Sequence, residues 1–454
     1  MPTFDVIVVG SGSAAGTVAS RCRAAGWTVA MIDKQPFGGT CALRGCDPKK
    51  VLVGAASAID AARALSGKGV RTDGLGLDWP QLMAFKRTFT DDYPATRKAS
   101  LARDGIATFD GIAHFMGPSQ VAVGDAILDA SRAIVIAAGS TPADLRIEGA
   151  GLLTTSDEFL ELPSLPGSVV FVGGGYVSFE FAHVVARAGA QVTIVHRGER
   201  PLEQFDRDMV ERLVARTRAA GVDVRLGADV RSIEKVGSTR RVTFRNAARA
   251  TAGDAFIDAD LVVHGAGRSP DIAELALDVG GVRFSPAGIE VDEYLQSLSN
   301  PLVWAAGDCA ATEGPPLTPV AGYEGRIVAK NLLDGRHTTA DYAAIPSVVF
   351  TVPPLAAVGL TEQDAHARGL HFSVHHHDTS GWYSSRRVGE AFSAFKVLVE
   401  NGTGLILGAH LLGPHADDTI NLFALAMRTG VTADRFREML WAYPTHASDT
   451  QYMV

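Results

Sequence analysis

One pattern constrains this chain more than any other: an apolar strand running into a glycine turn, a helix and a second strand, and it occurs twice. The first copy is FDVIVVG, then GSGSAAG, then TVASRCRAAG, then TVAMID. Each position has a physical reason. Gly10 permits the tight turn, Gly12 lets backbone N–H groups approach a pyrophosphate, and Ala15 sits where helix and strand pack closely. Asp33, at the tip of the second strand, is placed to accept hydrogen bonds from an adenosine ribose. The second copy is SVVFVGGGYVSFEFAHVVARAGAQVTIV, residues 168–195, with Gly173 and Gly175 in its turn and Ser178 at the close-packing position. It ends in His196, Arg197 and Arg200 instead of an acid. An acid repels a 2′-phosphate and arginines pair with it, so NADPH is favoured over NADH, unless the arginines are only a solvated turn. Two dinucleotide sites in one chain suggest electrons passing between two cofactors.

A chain of 454 residues exceeds one core, and at about 150 residues per domain roughly three domains are expected. The net charge of −8 argues against nucleic acid as the main partner, because phosphate binding depends on clustered Lys and Arg. No apolar run is long enough to span a bilayer, and the N-terminus enters a strand directly, so no membrane partner and a cytoplasmic location are expected. Four cysteines are present. Cys22 lies in an apolar helical pattern and Cys309 follows a Gly-Asp turn, so both read as lone buried thiols. Cys41 and Cys46, in GGTCALRGCDPKK, are the informative pair. In a reducing compartment such a pair is more often catalytic or metal-binding than a structural staple.

Shorter segments fit the same layout. VIAAGSTP (135–142) and VVHGAGRSP (262–270) each read as a strand entering a glycine turn that a proline ends. VWAAGDCA (303–310) puts Asp308 at the carboxyl edge of a sheet, where ligands of such folds lie. From about residue 345 the pattern becomes strands followed by helices, an α+β end-domain. HHHD at 375–378 reads as a solvated edge strand in preference to a metal site.

With two nucleotide folds flanking a C-x4-C, the chain resembles the class I pyridine nucleotide-disulfide oxidoreductases, the family of glutathione reductase, dihydrolipoamide dehydrogenase and mercuric reductase. GGTCALRGCDPKK, GGGYVSFEFA, AAGDCA, LTPVA and VVFTVPPLAAVGLTE occur in the family's order across essentially the whole chain. The implied fold is α/β: two Rossmann-like dinucleotide-binding domains, for FAD and NAD(P), with a C-terminal α+β dimerisation domain. The expected boundaries are 1–143 for the first part of the FAD domain, 144–266 for the NAD(P) domain, 267–341 for the second, central part and 342–454 for dimerisation. A homodimer is implied.

The resemblance also implies roles. Cys46 is the thiolate beside the flavin and Cys41 the outer thiol that meets the substrate. Lys49 lies near flavin N5 and pairs with Glu180, Tyr176 covers the nicotinamide pocket, and Asp308 bonds the flavin ribitol. Further cofactor-contacting positions are Ser13, Lys34, Gly39, Thr40, Ala138, Gly139, Val177, Gly267, Arg268, Gly307 and Thr318. In a regular helix Cys41 and Cys46 would lie roughly 500° apart around the axis and about 7.5 Å apart along it. A disulfide needs Cα atoms within about 7 Å, so the helix is expected to be distorted, with Gly45 the place for it. Zinc is disfavoured because no second close Cys or His pair accompanies this one, and two unrelated thiols are the remaining alternative. No metal is expected.

The tail departs from the family's His-Pro-Thr with a glutamate five residues on. In WAYPTHASDTQYMV the corresponding residues are Tyr443 and Ser448. Tyrosine is a poor base at neutral pH, and general acid–base catalysis contributes about 10²- to 10⁴-fold, so ordinary dialkyl disulfides should be handled slowly. His446 with Asp449 is one candidate replacement, at a spacing of i, i+3, against a plain surface pair. Of two arginines that hold glutathione in its reductase, only Arg21 has a counterpart here, beside Ser20. The expected activity is therefore FAD-dependent, NADPH-preferring electron transfer through Cys41 and Cys46 to a small thiol-reactive acceptor: an activated disulfide, a sulfenyl-type oxidant or a thiol-bound metal ion. The alternatives are a flavin-only quinone reductase or diaphorase, and a redox-sensing flavoprotein.

Overall fold

The computed structural model describes residues 1–246 and 253–454. Contacts divide the chain into two compact units, one formed by 1–48, 85–143 and 267–342, the other by 49–84, 144–266 and 343–454.

The first unit is built on β1 (Thr3–Val9), α1 (Ser13–Ala24) and β2 (Val29–Asp33). β1 lies between β2 and the strand Ala126–Ile136, parallel to both, with Val6 opposite Val29 and Ala133. The strand Val303–Ala305 continues the parallel sheet along Ile134–Ile136, and Ala107–Asp110 pairs with β2. The continuous apolar run of β1 has a plain cause, since both faces are covered. Val6 and Val8 pack with Ala14, Ala15 and Val18 of α1, while Ile7 and Val9 pack with Ile272, Leu275 and Ile289. The two glycine-turn segments end, as expected, at their prolines, Pro142 and Pro270, each in a three-residue strand. Ser140–Pro142 and Arg268–Pro270 pair with each other as a short antiparallel ribbon, Ser269 opposite Thr141. Two helices follow β2: α2 (Gly39–Arg44) and α3 (Cys46–Ala64).

The second unit repeats the nucleotide pattern. Strands Val222–Arg225, Gln191–Val195, Ser168–Val172 and Leu261–His264 form a parallel sheet in that order, with the helix Tyr176–Arg187 crossing over. Residues 347–412 supply a five-stranded antiparallel sheet against which Ile420 and Phe423 of the helix Ala416–Thr429 pack. The histidine-rich strand Phe372–Asp378 lies at its edge. No helix among the described residues is long and apolar enough to cross a membrane.

A buried polar hub fixes the body of α3 in this unit. Asp60 accepts from Arg216 Nη2 at 2.7 Å and from Arg187 Nε at 3.0 Å, and Arg187 also donates to the Val352 carbonyl. His183 beside them is fully buried. The Thr217 hydroxyl spends its single proton on the Leu213 carbonyl, so its oxygen accepts from His183 Nε2 at 2.9 Å. His183 Nδ1 accepts from the Val352 N–H at 3.0 Å. Both ring nitrogens are thus committed to the neutral form. Burial, with Arg187 and Arg216 nearby, holds the imidazole pKa well below its usual 6.5.

A depressed pKa contributes stability that is complete above about pH 6.5 and is lost as pH falls toward the folded value. His183→Gln, which keeps one donor and one acceptor, is expected to remove about 1.4 kcal/mol per pH unit from the acid slope of stability below pH 6.5. Denaturant melts of both proteins across that range test this. Other buried histidines contribute with the same sign, so the difference between the two proteins is the readout, and an identical slope would show that His183 charges inside the fold.

Candidate functional site

The first nucleotide turn and the cysteine segment meet through glycines. Gly10, at φ +107°, passes so close to the Ala137 carbonyl that a Cβ would lie 2.2 Å from its oxygen. A Cβ on Gly39, at φ +75°, would lie 2.4 Å from the Gly12 Cα. Only residues without side chains bring these two backbones together. Gly12 caps α1 with no side-chain bond to the first-turn N–H groups, which leaves those donors for an anion, and Ser13 begins that turn. Asp33 accepts from Ser11 Oγ at 2.6 Å and from the Gln35 N–H at 2.8 Å. Burial raises its pKa against those bonds. Ser11, which sequence reading passed over, also accepts from the Gly38 N–H at 2.9 Å and so ties the nucleotide turn to the approach to the cysteines.

The expected break in the helix lies at Gly45. α2 ends at Arg44, Gly45 leaves helical geometry at φ −140°, and α3 restarts at Cys46. A Cβ on Gly45 would stand 2.9 Å from the Thr40 carbonyl oxygen. The interruption brings the thiols of Cys41 and Cys46, five residues apart, near enough to act on each other. The Cys46 thiol first, then burial, pushes the Cys41 thiol pKa up, while the Thr318 hydroxyl pulls it back. Thr318, the first residue of the helix Thr318–Asp334, places its hydroxyl 3.5 Å from Cys46 Sγ. Asp47 Oδ1 lies 4.0 Å from Cys41 Sγ.

Around Asp308 a second set converges. Ser140 Oγ donates to Asp308 at 2.8 Å, and Arg268 donates to both the hydroxyl and the carbonyl of Ser140. The Gly307 N–H donates at 2.6 Å to buried Glu324, which also accepts from Thr312 and Tyr342. Gly139, Gly267 and Gly307 turn at positive φ, with Ala138 packed beside the first of them. Lys34 is directed to Asp271 at 2.8 Å and Glu274 at 2.5 Å. Ser140, Glu324 and Asp47 were not singled out from sequence.

In the second unit, Lys49 Nζ lies 2.7 Å and Lys50 Nζ 3.2 Å from buried Glu180 Oε2, and the Phe350 N–H donates to Oε1 at 2.9 Å. Burial alone would raise the Glu180 pKa. Lys49 and Lys50 outweigh it, and the carboxyl is held below its ordinary value. Gly173 comes within 2.3 Å, measured from a Cβ built on it, of the Gly265 carbonyl oxygen. Gly175 caps the helix begun by Tyr176 and Val177 with no side-chain bond. Ser178 packs against Gly265 with its buried hydroxyl unpartnered. His196 Nε2 meets the Arg200 carbonyl at 3.0 Å, Arg200 donates to the Glu203 carbonyl, and Arg197 is exposed.

The tail brings His446 and Asp449 into one short helix but does not pair them. Thr445 and Ser448 form a reciprocal cap that fixes this helix. His446 faces His415, ring centroids 4.8 Å apart, and Asp449 lies by Ser384 and Arg387, which act on its carboxyl against burial. Burial, then His415 and Arg387, push the His446 pKa down to about 4. Tyr443 is 80% exposed.

The glycine contacts, the uncapped turn of α1 and the acid ending β2 fit a dinucleotide such as FAD, and the Gly173–Gly175 turn fits a second one. The comparisons agree. Residues 4–325 match the pyridine nucleotide-disulphide oxidoreductase family, and residues 345–454 match its dimerisation domain. The glutathione reductase of Burkholderia cepacia is 31% identical over 447 residues, 98% of this chain and 97% of that protein. The mercuric reductase of Streptomyces lividans is 33% identical over 457 residues, 98% and 94% of the two. The chain also resembles the HOCl-induced flavoprotein disulfide reductase RclA of Escherichia coli, solved as a Cu(II) complex, with a TM-score of 0.88 at 27% identity over 100% and 99% of the two chains.

The contact between Gly39 and Gly12 yields an expectation. Gly39→Ala forces the two backbones apart, a strain of about 1–3 kcal/mol, and should lower FAD affinity tenfold or more. The flavin absorbance per chain after purification and dialysis measures it; full retention would show that the contact does not shape the nucleotide turn.

Proposed function

The chain belongs to the pyridine nucleotide-disulphide oxidoreductases, and on that basis we propose that it carries electrons from NADPH, by way of FAD, to a Cys41–Cys46 disulfide and on to a small thiol-reactive acceptor. The observation that carries the reading is the approach of the two thiols across the Gly45 break, with Thr318 3.5 Å from Cys46 Sγ. Bound FAD supplies the centre that takes two electrons from the nicotinamide and gives them to the disulfide. The remaining work falls to the chain itself. Cys46 opens α3, where first-turn N–H groups favour a thiolate, and the Thr318 hydroxyl can donate to it. Cys41 is the outer thiol that attacks the acceptor. Glu180 holds the Lys49 ammonium in one place, 2.7 Å from its carboxylate. Arg197 and Arg200 follow the second strand of the NAD(P) fold, where a 2′-phosphate would be read. A homodimer is supported by the dimerisation domain and by the exposed Met439, Leu440 and Tyr443, apolar surface that a second copy would cover.

The acceptor class follows from the tail. Tyr443 and Ser448 stand where the family's acid–base pair belongs, Ser448 is used in a helix cap, and His446 is held neutral. Acceptors whose leaving group needs no proton are therefore favoured: activated disulfides, sulfenyl-type oxidants, or a thiol-bound metal ion. The mercuric reductases among the relatives and the copper-bound RclA support that class.

Cys41→Ala is expected to lower turnover of a thiol-reactive acceptor at least 10²-fold while NADPH still bleaches the flavin in an anaerobic titration. Unchanged acceptor turnover in Cys41→Ala and in the double cysteine variant would instead support a flavin-only quinone reductase. Replacing Arg197 and Arg200 together by Glu is expected to raise the KM for NADPH about tenfold or more with little change for NADH. Equal effects on the two nucleotides in steady-state assays would remove the arginines from 2′-phosphate recognition.

A further inference from the structure

We infer that Asp47 makes the Cys41 outlet selective for cationic acceptors over anionic ones. The inference rests on the reading of Cys41 as the thiol that meets the acceptor. Asp47 is the second residue of α3 and is exposed, with Oδ1 4.0 Å from Cys41 Sγ. Its negative charge acts on Cys41 in the same direction as the Cys46 thiol and burial, though more weakly. Of the nearest cations along the chain, Lys49 and Lys50 both reach Glu180. Thr318, the other polar group at the thiols, is neutral. The Asp47 carboxyl therefore stands at the outer sulfur, next to where an acceptor must bring its own.

The chemistry makes this charge act on the acceptor's tail. The Cys41 thiolate attacks one sulfur of a disulfide R–S–S–X, the S–S bond breaks, and X–S⁻ leaves with the electron pair. Cys46 then displaces R–S⁻ from the mixed disulfide and closes the Cys41–Cys46 bond, and NADPH returns two electrons. Throughout the first step the R group is held two or three bonds from Cys41 Sγ, within a few ångströms of Asp47. Unit charges about 4 Å apart shift an equilibrium about fivefold even in a water-like medium. A cationic tail gains by that factor and an anionic tail loses by it, so roughly a tenfold or greater gap is expected between them. Because Asp47 is exposed, salt should screen the gap. A thiophilic metal cation falls in the favoured class, and a polyanionic disulfide in the disfavoured one.

The test uses three mixed disulfides with one leaving group, pyridine-2-thione, which departs without needing a proton. They differ only in the second tail: aminoethyl, hydroxyethyl or carboxymethyl. Thione release by the holoenzyme with NADPH gives kcat/KM for each, and the ratio of cationic to anionic tail within one protein is independent of how much of that protein is active. Wild type is expected to show a ratio of about ten or more at low salt, falling toward one in concentrated salt. Asp47→Asn should collapse the ratio and Asp47→Lys should invert it. Equal rates for the three tails in wild type, or a ratio unchanged in Asp47→Asn, would overturn the inference and leave the dithiol reading standing. Thione release no faster than in Cys41→Ala would overturn the dithiol reading itself, and the inference with it.

Discussion

The contact on which the redox segment depends is that of two glycines, Gly12 at the head of α1 and Gly39 at the head of α2. It is a backbone-to-backbone contact, closer than any side chain allows. Ser11 reinforces it by accepting from Gly38 while donating to Asp33. The nucleotide turn, the acid at the end of β2 and the approach to Cys41 therefore share one rigid corner. A dinucleotide drawn to the open first turn of α1 is brought to the same corner that launches the cysteines, so cofactor binding and thiol placement are set by the same few atoms.

From that corner the chain uses an interrupted helix as a lever. Gly45 breaks it so that two thiols five residues apart can meet, and α3 then runs on without a break to Ala64. The body of α3 is held by charge: Lys49 by Glu180, and Asp60 by Arg187 and Arg216. Ion pairs this buried add little stability over well-packed apolar residues, but they are costly to break singly, because the abandoned charge stays buried. Their effect is positional. They hold the body of α3 within the second unit.

Much of this was legible in the sequence, and the limits are physical. The two nucleotide folds could be read because glycine spacing and apolar runs are local signals. The break at Gly45 could be read because disulfide geometry forbids a regular helix once the pair is assumed. Ser11 could not, since its partners Asp33 and Gly38 lie 22 and 27 residues away and nothing in GSGSAAG marks one serine over another. The ribbon joining Ser140–Pro142 to Arg268–Pro270 was missed because three residues carry no periodicity and their partners are over a hundred residues distant. Whether His446 and Asp449 pair could not be read, for the opposite reason. Their spacing is right for contact on a helix, but the Thr445–Ser448 cap fixes a helix so short that tertiary neighbours, His415 and Ser384, decide where both side chains go.

On the proposed reading, the tail moves a chemical burden from protein to acceptor. A thiolate expelled from an ordinary disulfide carries a pKa near that of free cysteine, and at neutral pH its departure is eased by a proton. His446 cannot give one, since burial holds it neutral, and Ser448 is spent within its own cap. Tyrosine as a residue type can orient a ligand through its hydroxyl but is a poorer proton donor to a leaving thiolate than histidine. What can leave unaided is a group already stable as an anion, or a metal ion that accepts electrons and needs no leaving proton at all. Discrimination then rests on the leaving group's own stability and on the charge it presents to the outer sulfur, both properties of the acceptor, instead of on a proton delivered by the enzyme.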